Sequence, residues 1–291
     1  MIRLSNGHEV KYLVASGALG FDGQGWPWEK PLVKLGLIKL GLFTTVIKTL
    51  TMKPRVGNLR WWKPWSCVRL IPGGSVNKVG LTNPGIDWWC DEVGPYLDYQ
   101  KFPVIGSIYG NKEELEFLAA RLNPFDLAGL EVNYSCPNTG HAMQTATEVI
   151  ESVKAVQAVS RHPIITKVSV AQYYLEIADG LRNVAEAISI NSVPWEMVFP
   201  DQSSPLRPLE KRVGGGGGGV SGKPAQALNW KAVKELTDQN ALPVIAPSIM
   251  KFDDLEAVRE LGAKAFSFGA IHLRHPTWPT GFVLKERALG R

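Results

Sequence analysis

One short segment concentrates residue types that could do chemistry. Residues 133–139 (NYSCPNT) place a thiol and two amides around a proline turn. Asparagine side chains both donate and accept hydrogen bonds, so the pair suits a ligand with imide or carboxylate edges. A thiol with a lowered pKa can act as a proton-transfer base. A lone cysteine is more often a small buried hydrophobe; we keep that interpretation for Cys67 and Cys90, whereas the polar loop around Cys136 favours a chemical role.

Eight short apolar runs predict the strands that position this segment. The runs are continuously apolar rather than alternating, which is typical of strands buried on both faces of a parallel sheet. Helical patterns separate most of them, so we predict an α/β fold, a TIM (β/α)8 barrel with its active site at the C-terminal mouth. The runs are residues 12–15, 44–49, 103–108, 129–134, 164–168, 187–191, 243–246 and 265–268.

Helix-capping signals support the intervening helices. Asn111 followed by Glu114 predicts a capping box, and either Thr145 or Thr147 could begin the helix after the cysteine segment. Residues 253–262 start acidic and end at glycine, as the helix dipole and C-cap preferences require.

Polar residues stand at the carboxyl ends of the predicted strands. Contact with solvent explains the serines, but it explains two lysines and two asparagines after apolar strands less well. Because these ends share one mouth in a barrel, we expect the side chains to converge there. They are Ser16, Lys48, Ser107, Asn133, Ser135, Lys167, Asn191, Ser248 and Gly269.

The bulk composition limits the function classes. The chain has 291 residues and a net charge of +5, and 45% of its residues are apolar, which is enough to form one large core. We predict one domain over residues 1–291, with insertions at about 55–84 and 194–224 near the mouth. The basic residues are dispersed, so we expect no nucleic-acid partner. Three cysteines without a CxxC pair predict neither a disulfide framework nor a metal site, and favour the cytoplasm.

The longest apolar stretch does not predict a membrane span. Lys34 and Lys39 interrupt residues 32–47, and the N-terminus has no apolar signal region, so we expect no integral membrane segment. We interpret residues 32–47 as a barrel helix that runs into a buried strand; a face that touches a membrane surface is the alternative.

The two insertions each leave alternatives open. The first carries Trp61, Trp62 and Trp65 and predicts a hairpin or lid over one barrel mouth, or an interface. The second contains six consecutive glycines at residues 214–219, which suit either a disordered linker or a mobile active-site loop.

The ordered set of motifs resembles the dihydroorotate dehydrogenase family, in its cysteine-type, soluble class. Residues 133–139 resemble that family's NxSCPN motif, residues 77–85 (NKVGLTNPG) its NxxGLxNPG segment, and residues 219–224 (GVSGKP) its GLSGKP segment. Lys48 and Lys167 are similar to its substrate-side and flavin-side lysines. The similarity covers about residues 10 to 275.

This resemblance implies FMN-dependent oxidation of (S)-dihydroorotate to orotate in pyrimidine biosynthesis. The Cys136 thiolate would take the C5 proton while hydride passes to flavin N5, and Lys167 would stabilise charge on the reduced flavin. Implied substrate-binding residues are Lys48, Asn77, Val79, Gly80, Leu81, Asn133, Asn138, Asn191 and Ser192. Implied cofactor-binding residues are Ala15, Ser16, Gly17, Lys48, Asn133, Lys167, Asn191, Ser221, Gly222, Ser248, Ile249, Gly269 and Ala270.

The family also implies partners. We expect a homodimer, with an iron–sulfur electron-transfer subunit as a further candidate partner and no metal site in this chain. Residues 48–58 (KTLTMKPRVGN) resemble the NAD-linked class, whereas residues 219–224 resemble the quinone-linked class, so fumarate, NAD and quinone all stay open as acceptors.

Two places in the sequence depart from the family pattern. Residues 246–250 (APSIM) replace the usual GxGG(I/V) loop, and a Cβ at Ser248 and at Ile249 predicts crowding of the flavin phosphate. Tyr134 replaces an aliphatic residue, which we interpret as a core variation. His141 suits a surface position, or a proton relay. A related FMN barrel for another dihydropyrimidine and a non-catalytic barrel are the competing hypotheses.

Overall fold

The computed structural model describes residues 1–60, 62–135, 145–209 and 216–291. Cys136, Asn138, His141 and Trp61 therefore lie outside the described residues. Among the described residues, no helix combines the length and the apolar character needed to cross a membrane.

Eight parallel strands close into a barrel surrounded by helices, which confirms the predicted TIM barrel. Each strand pairs with the next along the chain, and the last pairs with the first, so no barrel strand has a free edge. All eight predicted runs contain one barrel strand. The strands are β1 (Tyr12–Val14), β2 (Thr44–Val46), β3 (Val104–Ile108), β4 (Gly129–Asn133), β5 (Ile164–Val168), β6 (Ala187–Ile190), β7 (Val244–Ala246) and β8 (Ala265–Phe268).

The helices pack against the outer face of the barrel and form the main core with it. The predicted capping box of Asn111 with Glu114 is present, and Thr145, rather than Thr147, begins the helix after the cysteine segment and forms a second capping box with Glu148. The helices are α1 (Lys30–Lys34), α2 (Ile86–Glu92), α3 (Lys112–Leu122), α4 (Ala146–Val159), α5 (Tyr174–Gly180), α6 (Trp195–Val198), α7 (Gln226–Gln239), α8 (Asp254–Glu260), α9 (Ala270–Arg274) and α10 (Trp278–Ala288).

The helix predicted within residues 32–47 ends after only three of these residues, at Lys34. Helix α1 has only five residues, and Gly36 follows it with a φ of 70°. Glycine adopts this left-handed conformation at little cost, so the chain turns away from the helix and reaches β2 through a short 3₁₀ turn at Leu40–Leu42. The buried strand at the end of the stretch is confirmed.

The inner face of the barrel is layered. Apolar side chains inside the barrel, among them Val46, Ile105 and Ile165, pack against a two-stranded hairpin of Ile2–Arg3 and Glu9–Val10. We call this cluster the plug. Side chains point inward at every second residue of a strand, so the next inward positions after these three are Lys48, Ser107 and Lys167. The barrel interior thus changes from apolar to polar along each of these strands.

A small antiparallel sheet, which we call the cap sheet, draws its strands from both predicted insertions. Val68–Ile71 and Gly74–Asn77 form a hairpin, and Gly219–Gly222 and Val193–Pro194 extend it. The hairpin agrees with our prediction for the first insertion. The ammonium of Lys78, which is fully buried, donates to the carbonyl of Gly216 and so ties the two insertions together.

Candidate active site

A cavity of about 430 Å³ opens where the carboxyl ends of the barrel strands meet the cap sheet. Its lining includes Ala15 after β1, Asn133 in β4, Lys167 in β5 and Gly269 after β8, so distant parts of the chain converge there. The volume is in the range of small-molecule and cofactor sites.

Most of the predicted site residues line this cavity. Gly222, Ser248 and Ile249 are the described ones that do not. Cys136 and Asn138 lie outside the described residues. The predicted residues in the lining are Ala15, Ser16, Gly17, Lys48, Asn77, Val79, Gly80, Leu81, Asn133, Lys167, Asn191, Ser192, Ser221, Gly269 and Ala270.

A buried polar network forms the floor of the cavity. Lys167 Nζ lies 3.3 Å from Glu131 Oε1, and the Ser107 hydroxyl donates to the same oxygen at 2.9 Å. The Thr49 and Ser107 hydroxyl oxygens are 2.9 Å apart, and Asn133 Nδ2 donates to Thr49 Oγ1 at 2.9 Å. Neither Glu131 nor Thr49 was predicted from the sequence to belong to the site. An acidic residue inside an otherwise apolar strand was the available signal for Glu131, because buried acids are rarely unpaired.

Backbone contacts orient two of the asparagines. Asn133 Oδ1 accepts from the backbone N–H of Ser135 at 3.1 Å, and Asn191 Oδ1 accepts from the N–H of Ser192 at 2.8 Å. A backbone N–H can only donate, so these contacts fix which end of each amide is the oxygen. The nitrogen end of each amide is therefore the end left for a ligand, and both positions offer donors.

The cavity also carries positive charge. Lys48 and Lys167 are both buried, and Lys48 Nζ lies 5.9 Å from the centroid of the Phe21 ring. Among the described residues, the ammonium groups of Lys48 and Lys167 outnumber the carboxylate of Glu131, which favours an anionic ligand. Burial raises the pKa of Cys67 and of Cys90 to about 11, so both thiols are protonated at neutral pH and neither is ready to act as a base.

Comparison with known proteins identifies the family. A family model described as dihydroorotate dehydrogenase matches residues 14–270. The chain belongs to the dihydroorotate dehydrogenase family. Dihydroorotate dehydrogenase B (NAD(+)), catalytic subunit, of Desulforudis audaxviator is 32% identical over 274 residues, which cover 91% of this chain and 83% of the relative. The proteins of the same description from Geobacter metallireducens and Petrotoga mobilis are 31% identical over 277 residues (91% of this chain, 84% of the relative) and 30% identical over 274 (91% and 85%).

The backbone of this dihydroorotate dehydrogenase family member is strained at three predicted site residues. Leu81, Ser192 and Ser248 have φ values of 55°, 64° and 66°, and only two other non-glycine residues in the described part of the chain have positive φ. Such conformations are costly for side chains with a Cβ and cluster at functional sites. At Ser248 the conformation is one that a glycine of the usual family loop would adopt without strain.

The altered loop after β7 is held from its outer side. Asn229 Nδ2 donates to Ser248 Oγ at 3.0 Å, and Gln226 Nε2 donates to the Ser248 carbonyl at 2.9 Å. The side chain of Ile249 is buried in the main core. Gly222 belongs to the cap sheet, where a Cβ at this residue would come within 2.8 Å of the Gly73 carbonyl oxygen. These contacts explain why the three residues do not line the cavity.

The rim of the cavity is apolar and aromatic. Trp26 and Trp28 stack with ring centroids 5.6 Å apart, and Trp65 and Leu70 on the side of the cap sheet are more than half exposed. Trp65 was noted in the sequence as a candidate lid or interface residue, but Trp26 and Trp28 were not, because those two lie in the irregular connection between β1 and α1. Both indoles line the cavity. The rim therefore encloses the polar floor with apolar walls.

Proposed function

We propose that this chain oxidises (S)-dihydroorotate to orotate in pyrimidine biosynthesis, with FMN as its cofactor. One observation carries the proposal. Nearly all predicted site residues that the structure describes line a single cavity at the carboxyl ends of the strands. A family likeness without that convergence would support the fold alone.

The cavity suits FMN. Lys167 and Asn133 on the floor would hold the pyrimidine end of the flavin, and the turn at Ala15, Ser16 and Gly17 would hold its ring. Ser221, Gly269 and Ala270 would hold the phosphate end, where a Cβ at Gly269 would approach only Ala15, at 3.4 Å. When bound, FMN would supply the two-electron acceptor for hydride at its N5.

The donors of the cavity suit the acceptor edges of dihydroorotate. Its carboxylate and ring carbonyls accept hydrogen bonds, and Lys48, Asn133 and Asn191 offer donors. Asn77, Ser192 and the strained turn at residues 79–81 complete the substrate side. We assign Asn138 to the same group on its motif. Carboxylate recognition by Lys48 separates this substrate from neutral dihydropyrimidines.

We propose Cys136 as the base that takes the C5 proton. The thiols of Cys67 and Cys90 are held protonated by burial, so Cys136 is the cysteine left for this role. The lysine and amide donors would hold the substrate in the orientation that proton transfer needs.

We also propose a partner subunit and a homodimer, in the cytoplasm. The relatives reported above are described as catalytic subunits of an NAD(+)-linked enzyme, which supports a partner that passes electrons to NAD(+). The three cysteines of the sequence cannot supply the four thiolates of a cluster, so an iron–sulfur centre would belong to that partner.

An anaerobic titration with dihydroorotate tests the function. We expect purified, yellow protein to bleach on addition of dihydroorotate and to stay yellow with neutral dihydrouracil. Bleaching by dihydrouracil instead would favour a related FMN barrel. Protein that stays colourless after incubation with FMN would contradict flavin chemistry and favour a non-catalytic barrel. A panel of NAD(+), fumarate and a quinone then identifies the acceptor.

A further inference from the structure

We propose that Glu131 is a positioning residue that controls two ligand-facing groups of the cavity floor, Lys167 and Asn133. The proposal rests on the proposed function, since it assigns these groups to flavin and substrate. Glu131 itself does not line the cavity. It lies beneath it on β4, 4% exposed, and contacts Lys167 directly and Asn133 through Ser107 and Thr49.

The direction of each hydrogen bond follows from the carboxylate. An ionised carboxylate only accepts, so the Ser107 hydroxyl donates its single proton to Glu131. The contact between Ser107 and Thr49 then contains a proton only if Thr49 donates it, in competition with the Ser16 hydroxyl, which lies 3.0 Å from the same Thr49 oxygen. Thr49 Oγ1 is thereby left as an acceptor, and Asn133 Nδ2 donates to it.

Asn133 is consequently held from both ends. The backbone N–H of Ser135 holds its oxygen, and the Glu131 chain holds one hydrogen of its nitrogen. The second N–H of the amide is the group that can reach a ligand in the cavity. A buried hydrogen-bond network of this kind limits the arrangements open to its members.

The same carboxylate sets the charge at Lys167. The ammonium and the carboxylate are both about 95% buried and 3.3 Å apart, so the negative charge offsets much of the positive field that reaches the cavity. Glu131→Gln keeps the shape of the side chain but removes the negative charge that offsets the Lys167 ammonium. The uncompensated ammonium should then stabilise the negative charge of reduced flavin more strongly.

The first test is the midpoint potential of bound FMN, measured without dihydroorotate. We expect Glu131→Gln to raise the ratio of reduced to oxidised flavin at a fixed potential at least tenfold, which is a positive shift of about 30 mV for a two-electron couple. Ser107→Ala keeps the ion pair and should leave the potential unchanged. It should weaken orotate binding roughly two- to tenfold, because the hydrogen-bond chain to Asn133 is cut.

Glu286→Gln is the matched control. Glu286 is 1% exposed and pairs with Arg259 on the outer side of the barrel, so its loss should cost stability without moving the potential or the orotate affinity. An unchanged or more negative potential in Glu131→Gln would overturn the charge role. Unchanged orotate affinity in Ser107→Ala would overturn the hydrogen-bond chain.

A second readout does not depend on the proposed function. In cofactor-free protein labelled with ¹⁵N-asparagine, the side-chain amide signal of Asn133 can be assigned by its absence in Asn133→Asp. We expect that signal to shift in Glu131→Gln and in Ser107→Ala but not in Glu286→Gln. If the Asn133 signal shifts but dihydroorotate does not bleach the protein, the network is supported and the proposed function is rejected. If the signal does not shift, the network is rejected.

Discussion

The plug and the cavity floor occupy the same inner face of the same strands, yet they have opposite chemistry. Ile165 belongs to the plug and Lys167, two residues later on β5, belongs to the floor; Ile105 and Ser107 on β3 repeat the pattern. Two residues advance a strand by about 6.6 Å. Depth along the barrel therefore separates the part of the interior that stabilises the fold from the part that binds a ligand.

The two layers also differ in energetics. Burial of an isoleucine side chain contributes about 1.5–3 kcal/mol, so the plug is a source of stability. A buried ion pair such as Lys167 with Glu131 loses most of its Coulomb gain to desolvation. The floor is consequently better explained by function than by stability, and the following changes test that division.

The largest effect is expected on turnover. Cys136→Ala should lower turnover of dihydroorotate by about 10²–10⁴ while FMN binding persists, because a general base is lost. Steady-state assays and the flavin spectrum measure both quantities. Cys90→Ala, in the main core, is the control and should keep its turnover; equal turnover in the Cys136 variant would remove the base assignment.

A change in the plug should lower stability and leave ligand binding unchanged. Ile165→Ala should lower the free energy of unfolding by about 2–5 kcal/mol through lost burial and the cavity that remains. Urea titration measures the loss. Ile165→Val removes less volume and should lower the free energy of unfolding by only about 0.5–1.5 kcal/mol. Orotate affinity of the folded protein should not change; a large change would mean that the two layers are coupled.

Glu29 is a buried acid that accepts a hydrogen bond from the backbone N–H of the rim residue Trp26, and its ionisation should make stability depend on pH. Burial raises the pKa of Glu29 from 4.5 to about 7, and the backbone N–H of Trp26 offsets part of this rise. The folded state therefore holds this proton more tightly than the unfolded state, so Glu29 costs stability as pH rises from about 4.5 through 7.

The test is the melting temperature of Glu29→Gln against the unmodified protein. We expect the variant to gain stability relative to the unmodified protein between pH 5 and pH 8, since its side chain does not ionise. A difference that is constant over this range would show that Glu29 ionises at the same pH in both states.

The smallest effect is expected in the helical shell. Asn111→Ala removes the side-chain acceptor for the backbone N–H of Glu114 and should cost about 0.5–2 kcal/mol of stability. Thermal unfolding measures this cost, and turnover should be unchanged. Asn111→Ser, which keeps a capping oxygen, should recover most of the loss; an equal loss in both variants would exclude capping as the cause.

Local patterns were sufficient to predict the barrel but not its irregular connections. All eight apolar runs contain barrel strands, because strands covered on both faces need continuous apolar sequence. The helix predicted within residues 32–47 is much shorter than expected, because Gly36 turns the chain away just after α1. Trp26 and Trp28 were not predicted, since an irregular connection carries no periodic signal.

Local sequence patterns predicted the eight strands, the capping box at Asn111 and the candidate groups, since each depends on residues close together in the chain. The three-dimensional fold sets which groups share the cavity floor. Thr49 and Asn133 are 84 residues apart, and Lys167 and Glu131 are 36 apart. Closure of the barrel brings these pairs within hydrogen-bond distance, and no local pattern specifies the depth at which a side chain meets its partner.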